Sequence, residues 1–387
     1  MTLHLTRPDL AQHARDIADM ACSVGLDFFE TRFEMIDFDT MQQIAAYGGF
    51  PQRYPHWRFG MEYEKLRKQH VYGLGKIYEM VINNDPCYAY LLADNALCDH
   101  KLVMAHVYAH CDFFKNNYWF SKTNRKMMDE MANHATRLRR HIDRHGHDKI
   151  ERFIDICYTL DNLIDPHAPF MTRDVKPDGQ DKKMSVEREV EKDIIRYKSK
   201  PYLESWINPP ASTNQQRANL MAAQQKKKNL IPRQPMRDVL QFLIEHAPLE
   251  DWETDVLSII REEAYYFAPQ GQTKIMNEGW ATFWHSRLMT TRIVTDAEII
   301  TYADHHSGTV AMSPGQINPY KIGVELFRDI EDRWNKGRFG KEYDECKSME
   351  EARKWDQKLG LGMEKVFEVR RIYNDVNFID EFLTEEF

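Results

Sequence analysis

Three side chains stand out as a set able to do chemistry. They are His106 and His110, four apart in AHVYAHCDFFKNN, and Glu278, far downstream in IMNEGWATFWH. On a helix, positions i and i+4 share a face one turn apart, so two imidazoles spaced this way can converge on one ion. A carboxylate completes a three-ligand set of the kind that holds zinc or non-haem iron. Gly279 follows Glu278 and permits close approach of another group. Chance spacings are expected among 16 histidines, and His141 and His145 repeat the pattern. Arginines, which repel a cation, surround that second pair. The first lies among Val103, Tyr108, Phe113 and Phe114, and is preferred for that reason.

Further residues are placed around this set. His285 is seven residues after Glu278, on the same helical face but about 10.5 Å along the axis. Ligand bonds of about 2.0–2.2 Å cannot bridge that gap, so His285 is expected beside the metal or on the substrate. Asn277 is a candidate to orient a ligand or line the pocket. His305 and His306, adjacent in YADHHSG, are candidate substrate contacts, and they or His285 could steady an oxyanion. Glu262 and Glu263, in REEAYYF, are candidate water-activating bases. Asp112, two residues after His110, points off the ligand face. His134, His141 and His145 read as a solvated, arginine-laced surface. Two other readings stay open. One is a buried Glu–His–Arg brace, with Arg261 neutralising a carboxylate; the other is a substrate pocket without a metal.

The elements that must carry these groups are mostly helical. Apolar periodicity predicts helices over 8–22, about 95–115 (capped by Asp94 or Asn95), 121–145 and 148–164. Others are expected in DVLQFLIEHAP, in WETDVLSIIREEAYYF, over 278–289, in VELFRDIEDRW and in SMEEARKWDQKLG. Residues 26–60 keep helical character before an aromatic loop. Pro-Gln-Gly-Gln at 269–272 reads as a break, and TYADHHSG and INPYKIG read as loops. Residues 76–92 change period around Asn83-Asn84-Asp85-Pro86, which predicts a hairpin. The fold class is therefore mainly α with a small antiparallel sheet (α+β). Residues 1–170 form a first half. Residues 171–236, with KPDGQDKK and QQKKKN, form a charged insertion whose island PYLESWINPP is expected to dock on the body. Residues 237–387 form a second half that packs on the first as one unit.

Composition excludes several classes. The 387 residues are 42% hydrophobic, enough for a sizeable core, and carry a net charge of −8. A general nucleic-acid binder would need a basic face. The six cysteines lack CxxC spacing, so neither a disulfide framework nor a thiolate zinc site is expected. No secretory signal and no apolar run long enough to span a membrane is found, so a cytoplasmic protein is expected.

A hairpin, a paired-histidine helix and a later glutamate helix resemble the layout of glutamate-type zinc metallopeptidases, which implies a zincin-like core. Asn277-Glu278-Gly279-Trp280-Ala281 is similar to the third-ligand helix of some of them. Those enzymes use HExxH, whose glutamate is the general base; here that position is Val107. The stretches HVYAHCDFFKNNYWF, PYLESWINPP, DVLQFLIEHAPLEDWETDVLSIIREEAYYFAPQGQTKIMNEGWATFWH, YADHHSG and INPYKIG together resemble the stage V sporulation protein R (SpoVR-like) family. The resemblance implies a bacterial protein. In spore formers it implies a part in forming the spore cortex, a modified peptidoglycan, and a link to a serine protein kinase and a von Willebrand-type domain protein. It supplies no reaction. Members usually run longer, so a further C-terminal region is expected.

Three functions follow. The first is a zinc-dependent hydrolase of an amide, peptide or peptidoglycan-related, with His106, His110 and Glu278 as ligands and Glu262 or Glu263 as base. The second is a non-catalytic regulatory scaffold on a peptidase-like body, which Val107 favours. The third is a non-haem iron enzyme. A carboxylate-bridged di-iron bundle lacks the paired ExxH motifs it would need.

Overall fold

The computed structural model describes residues 8–71, 79–171, 193–228, 236–346, 348–385 and 387. In chain order the longer elements are α1 Pro8–Ser23, β1 Thr31–Ile36, α2 Phe38–Ala46, α3 Trp57–Val71, β2 Glu79–Ile82, β3 Cys87–Leu92, α4 Leu97–Asn116, α5 Met127–His145 and α6 His147–Tyr158. There follow α7 Pro210–Lys228, α8 Val239–His246, α9 Asp251–Gln272, α10 Lys274–Leu288, α11 Ile299–Thr309, α12 Pro319–Lys336, α13 Gly362–Ile372 and α14 Asp375–Phe382. The chain is mainly helical with one small sheet. No helix among the described residues is long and apolar enough to cross a membrane.

The chain divides into two compact units. One comprises residues 1–161 and 250–387, the other 162–249, whereas composition marked 171–236 as the insertion. In the smaller unit, Asp238 caps α8 by accepting the Gln241 N–H at 2.8 Å. The island PYLESWINPP includes the short helix Glu204–Ile207. KPDGQDKK lies outside the described residues.

The larger unit is built around α4. Nearly every residue of this helix from Cys98 to Phe114 is buried, including the polar Asp99, His100, Lys101, His106, His110 and Asp112. It packs against α1, α10, α11 and α13. Asp112 shows how tightly. Its carboxylate accepts from the Asp27 backbone N–H at 2.8 Å and from Trp280 Nε1 at 2.9 Å, with Arg370 Nε 3.5 Å away. Burial pushes its carboxyl up to about 7, although Arg370 and the two hydrogen bonds pull the other way. It thus ties α4 to α10 and α13, off the ligand face as the spacing implied.

The hairpin forms as β2 and β3, antiparallel from Glu79↔Leu91 to Ile82↔Tyr88. A third strand, β1, pairs parallel to β3 from Thr31↔Cys87 to Ile36↔Leu92, so the sheet is mixed, in the order β1-β3-β2. The helical character expected over 26–60 therefore does not hold at residues 31–36. Their Thr-Arg-Phe-Glu-Met alternation is too short to stand alone and gains its partner only through a non-local pairing.

Other corrections have equally local causes. Helix α9 continues through Pro269 to Gln272 instead of breaking. Pro269 is buried, so packing outweighs a proline penalty of about 3 kcal/mol. TYADHHSG lies in α11, which is pinned by the Lys101–Glu298 ion pair at 2.9 Å and by buried Tyr302. INPYKIG opens α12: Asn318 caps the Tyr320 N–H at 2.9 Å and Pro319 takes the first helical position. Helix α4 starts after Ala96, which takes the N-cap position in place of Asp94 or Asn95. SMEEARKWDQKLG is helical only over Met349–Lys354. Beyond it, the Gln357 and Leu359 N–H groups bond the Lys336 and Asn335 carbonyls, satisfying the end of α12.

Helix α10 is held against α12 by two glycines. A Cβ on Gly279 would lie 2.4 Å from Gly323 Cα, and one on Gly323 would lie 2.3 Å from the Ile275 carbonyl oxygen. Neither obstacle is a side chain that can swing away. Gly323→Ala should therefore destabilise the protein by about 1–3 kcal/mol in denaturant unfolding. Gly60→Ala, in α3 with nothing within 4 Å of the added methyl, should instead stabilise it by about 0.5–1 kcal/mol.

Candidate metal centre

Helix α4 presents His106 and His110 side by side, ring centroids 4.5 Å apart and nearly perpendicular. Helix α10 brings Glu278 against them. Its Oε2 lies 3.6 Å from His106 Nε2 and 3.4 Å from His110 Nε2. Two atoms each about 2.1 Å from a tetrahedral centre are about 3.4 Å apart, so these separations suit a shared cation. One ligand atom from each of the three residues lies within 4.8 Å of the others, and all three residues are buried. Glu278 Oε2 has no hydrogen-bond partner among the described residues. A buried carboxylate oxygen in that state is costly, and a cation would satisfy it. The other oxygen, Oε1, takes Lys274 Nζ at 2.6 Å.

The surrounding hydrogen bonds set the imidazoles for ligation. Asn277 Oδ1 lies 2.8 Å from His110 Nδ1. An amide oxygen only accepts, so Nδ1 carries the proton and Nε2 turns its lone pair to the centre. His106 Nδ1 is 2.8 Å from His285 Nδ1, and His285 Nε2 is 3.1 Å from His306 Nδ1. If His106 Nε2 ligates, each Nδ1 or Nε2 proton passes down this ladder in one direction, which fixes all three tautomers. Burial, with His110 alongside, pushes His106 down to about 4; burial and the neighbouring imidazoles hold His285 well below its ordinary value. Burial alone would raise Glu278, but His106, His110 and Lys274 bring it well below the usual carboxylate range. A neutral His106 and an ionised Glu278 are forms that bind metal.

A cavity of about 110 Å³ opens beside His106, lined by Asp99, His285, His305, Thr309 and Tyr320 among others. The Tyr320 ring stacks on His106 at 6.2 Å. His305 Nδ1 meets Asp99 Oδ1. The structure therefore brings His106, His110, Asn277, Glu278, His285, His305 and His306 into one neighbourhood. Asp99, Lys274 and Tyr320 were missed in the sequence. Asp99 had a legible signal, since it precedes His106 by seven residues and so shares its face; the other two had none.

Glu262 and Glu263 are elsewhere. Glu263 is buried, with Oε2 2.6 Å from Arg53 and Oε1 3.2 Å from His134 Nδ1, while Glu262 Oε2 is 3.0 Å from His134 Nε2. Tyr54, itself bonded to Tyr158, also reaches Glu263 at 3.4 Å. None of these partners belongs to the histidine–glutamate set. About nine residues of helix, on the order of 13 Å, separate Glu263 from the end of α9. The base role expected of these two carboxylates has no geometry to support it. His134, expected on a solvated face, is fully buried between them. Arg53 is the cation on Glu263, while Arg261 lies over the Tyr265 ring and adds to His134 and Arg137 in holding Glu262 below the usual carboxylate range. His141 pairs with Asp255 at 2.8 Å and His145 packs on Trp252, so the second histidine pair is used in bracing α5 against α9.

The SpoVR like protein family model matches residues 4–387. The chain belongs to the SpoVR-like family. It is 31% identical over 383 residues to the uncharacterized protein YcgB of Escherichia coli strain K12, an alignment spanning 93% of this chain and 69% of that one. No solved structure matches. Val107, where a peptidase would carry its glutamate, is fully buried in the apolar core of this SpoVR-like chain.

Two measurements follow. Asn277→Leu removes the acceptor that holds His110 in its tautomer and should weaken divalent-cation binding about 10–100-fold by calorimetry. His134 concerns stability. Burial alone would lower its pKa, but the Glu262 and Glu263 carboxylates push it up to about 9. That is above the unfolded value of about 6.5, so its contribution is complete below pH 6.5 and lost as pH rises through 9. Thermal unfolding from pH 6 to 10 should show a loss on the order of 2 kcal/mol that His134→Gln abolishes.

Proposed function

We propose that this SpoVR-like protein is a zinc-dependent hydrolase of an amide bond in a peptide or peptidoglycan-related substrate, with His106, His110 and Glu278 as the metal ligands. One observation carries the reading: a buried, ionised Glu278 oxygen without a hydrogen-bond partner among the described residues faces two imidazole nitrogens at 3.4 and 3.6 Å. Zinc held there would polarise a carbonyl and lower the pKa of water. Asn277 holds His110, and His285 with His306 holds His106, each in its ligating tautomer. Lys274 offsets the charge of the outer Glu278 oxygen. Tyr320 and His305 meet the substrate in the cavity. The layout supports a zincin-like core without HExxH.

In a spore-forming host this activity is placed in the cytoplasm, serving cortex formation alongside a serine protein kinase and a von Willebrand-type domain protein. The family resemblance supports that setting. Two observations favour other readings. Val107 favours a regulatory scaffold that keeps the metal as a structural clamp. Two histidines and one carboxylate are also the donor set of non-haem iron oxygenases.

Elemental analysis of protein purified without added metal separates these. The hydrolase reading expects about one zinc per chain, lost in His106→Ala and Glu278→Gln, and metal-dependent cleavage of muropeptides seen by mass spectrometry. Chelation should lower the unfolding midpoint, by an amount corresponding to about 3–4 kcal/mol at metal 100- to 1,000-fold above its dissociation constant. Iron in place of zinc would move the assignment to oxidative chemistry. Zinc without any turnover would leave the scaffold, and no retained metal would remove the centre altogether.

A further inference from the structure

The cavity beside His106 has apolar walls and one acidic end. We infer that it is a slot for an unbranched alkylammonium stem of about four carbons, as on a lysine side chain, with Asp99 as its anchor. This rests on the proposed function above, since the ammonium belongs to the substrate residue that lies at the histidine–glutamate centre.

The slot runs along one face of α4. Asp99, Leu102, Val103 and His106 all line it, at the three- and four-residue intervals that stack side chains on one side of a helix. Leu102 and Val103 therefore lie between the carboxylate and the first imidazole. The cavity of about 110 Å³ holds about four waters' worth of space at about 30 Å³ each. That is enough for a short stem and too little for a whole peptide. Asp99 and His106, seven residues apart, are separated by about 10.5 Å along the helix axis. A hydrogen bond between charged groups takes about 2.8 Å at Asp99, and contact with the His106 ring takes about 3.5–4 Å. About 4 Å remains, which a zigzag of about four carbons spans with bonds of about 1.5 Å.

The charge of the ligand follows from the lining. Among the described lining residues Asp99 is the one carboxylate, and none is a lysine or arginine. Asp99 is only 6% exposed and stands in the first turn of α4, where the helix dipole favours its ionised form. Lys101, two residues on, is held by both Glu298 oxygens at 2.9 and 3.0 Å. Asp99 Oδ1 meets His305 Nδ1, but a histidine is a full cation only when protonated. An alkylammonium keeps its charge throughout the physiological range. Apolar walls with one placed polar group are the usual means by which a pocket selects a ligand.

Calorimetry on the full chain, zinc-loaded and zinc-free, tests this with three probes. They are Nα-acetyl-L-lysine amide, the norleucine amide, which lacks the ammonium, and the ornithine amide, which is one methylene shorter. The lysine amide should bind about 10–100-fold more tightly than the norleucine amide, the worth of a hydrogen bond between charged groups. Asp99→Asn should erase that preference with the far-UV circular dichroism unchanged. If this variant unfolds, the ornithine amide decides on the wild type, where it should bind about fourfold more weakly than the lysine amide, the worth of one buried methylene. Equal binding of the lysine and norleucine amides overturns the slot. So does a lysine preference that survives Asp99→Asn, or an ornithine amide that binds as tightly as the lysine amide. The proposed function fails separately, as wild-type protein that retains no zinc after dialysis or zinc-loaded protein that cleaves no substrate, and the lysine preference then stands as a binding site alone.

Discussion

A carboxylate taken out of water must find positive or hydrogen-bonding partners, or the fold loses several kcal/mol. Glu278 is in that position, and its partners come from a helix that lies more than 160 residues earlier in the chain. Helices α4 and α10 must therefore pack with their polar stripes facing each other inside an otherwise apolar core. The rest of the larger unit follows from that demand. The Gly279–Gly323 contact draws α12 against the back of α10, and Asp112 fastens α13 and the Asp27 loop to α4. Trp280, two residues after Glu278 and turned to the other side of α10, packs on Phe327 and Phe367 in the same core.

The chemistry of the centre depends on what lies behind it. An imidazole can coordinate only through an unprotonated nitrogen, so the group on its far side decides whether it is ready. Asn277 and the His285–His306 ladder perform that selection with neutral groups and add no net charge to the site. Burial lowers the pKa of His106 and His285, and the same burial makes the one carboxylate count for more. A cation entering this site would meet donors already oriented.

A second buried polar network, around Glu263, solves the same problem without a metal. Its carboxylate is neutralised by Arg53 and by a protonated His134. That network braces α5 and the Arg53 segment against α9. The two clusters share residue types and differ in one respect: the first lacks a cation among its side chains at Glu278 Oε2, and the second has a guanidinium there. That difference sets the two clusters apart, and residue type alone does not express it.

Several parts of this were legible beforehand. The face shared by His106 and His110, the off-face direction of Asp112, the hairpin, and the nearness of Asn277 and His285 to the histidine pair all follow from backbone periodicity within one element. The family was legible as well, from long motif stretches. What the sequence could not contain were choices between distant partners. Glu262 and Glu263 looked as available as Glu278, and His134 looked solvated. Strand β1 paired with nothing nearby, and α11 had weak intrinsic helicity. Each was decided when two surfaces remote in the chain met, because burial and pairing belong to the packed pair and not to either segment. Local spacing determined which side chains could act together on one helix; only the tertiary packing decided which carboxylate would be left needing a cation.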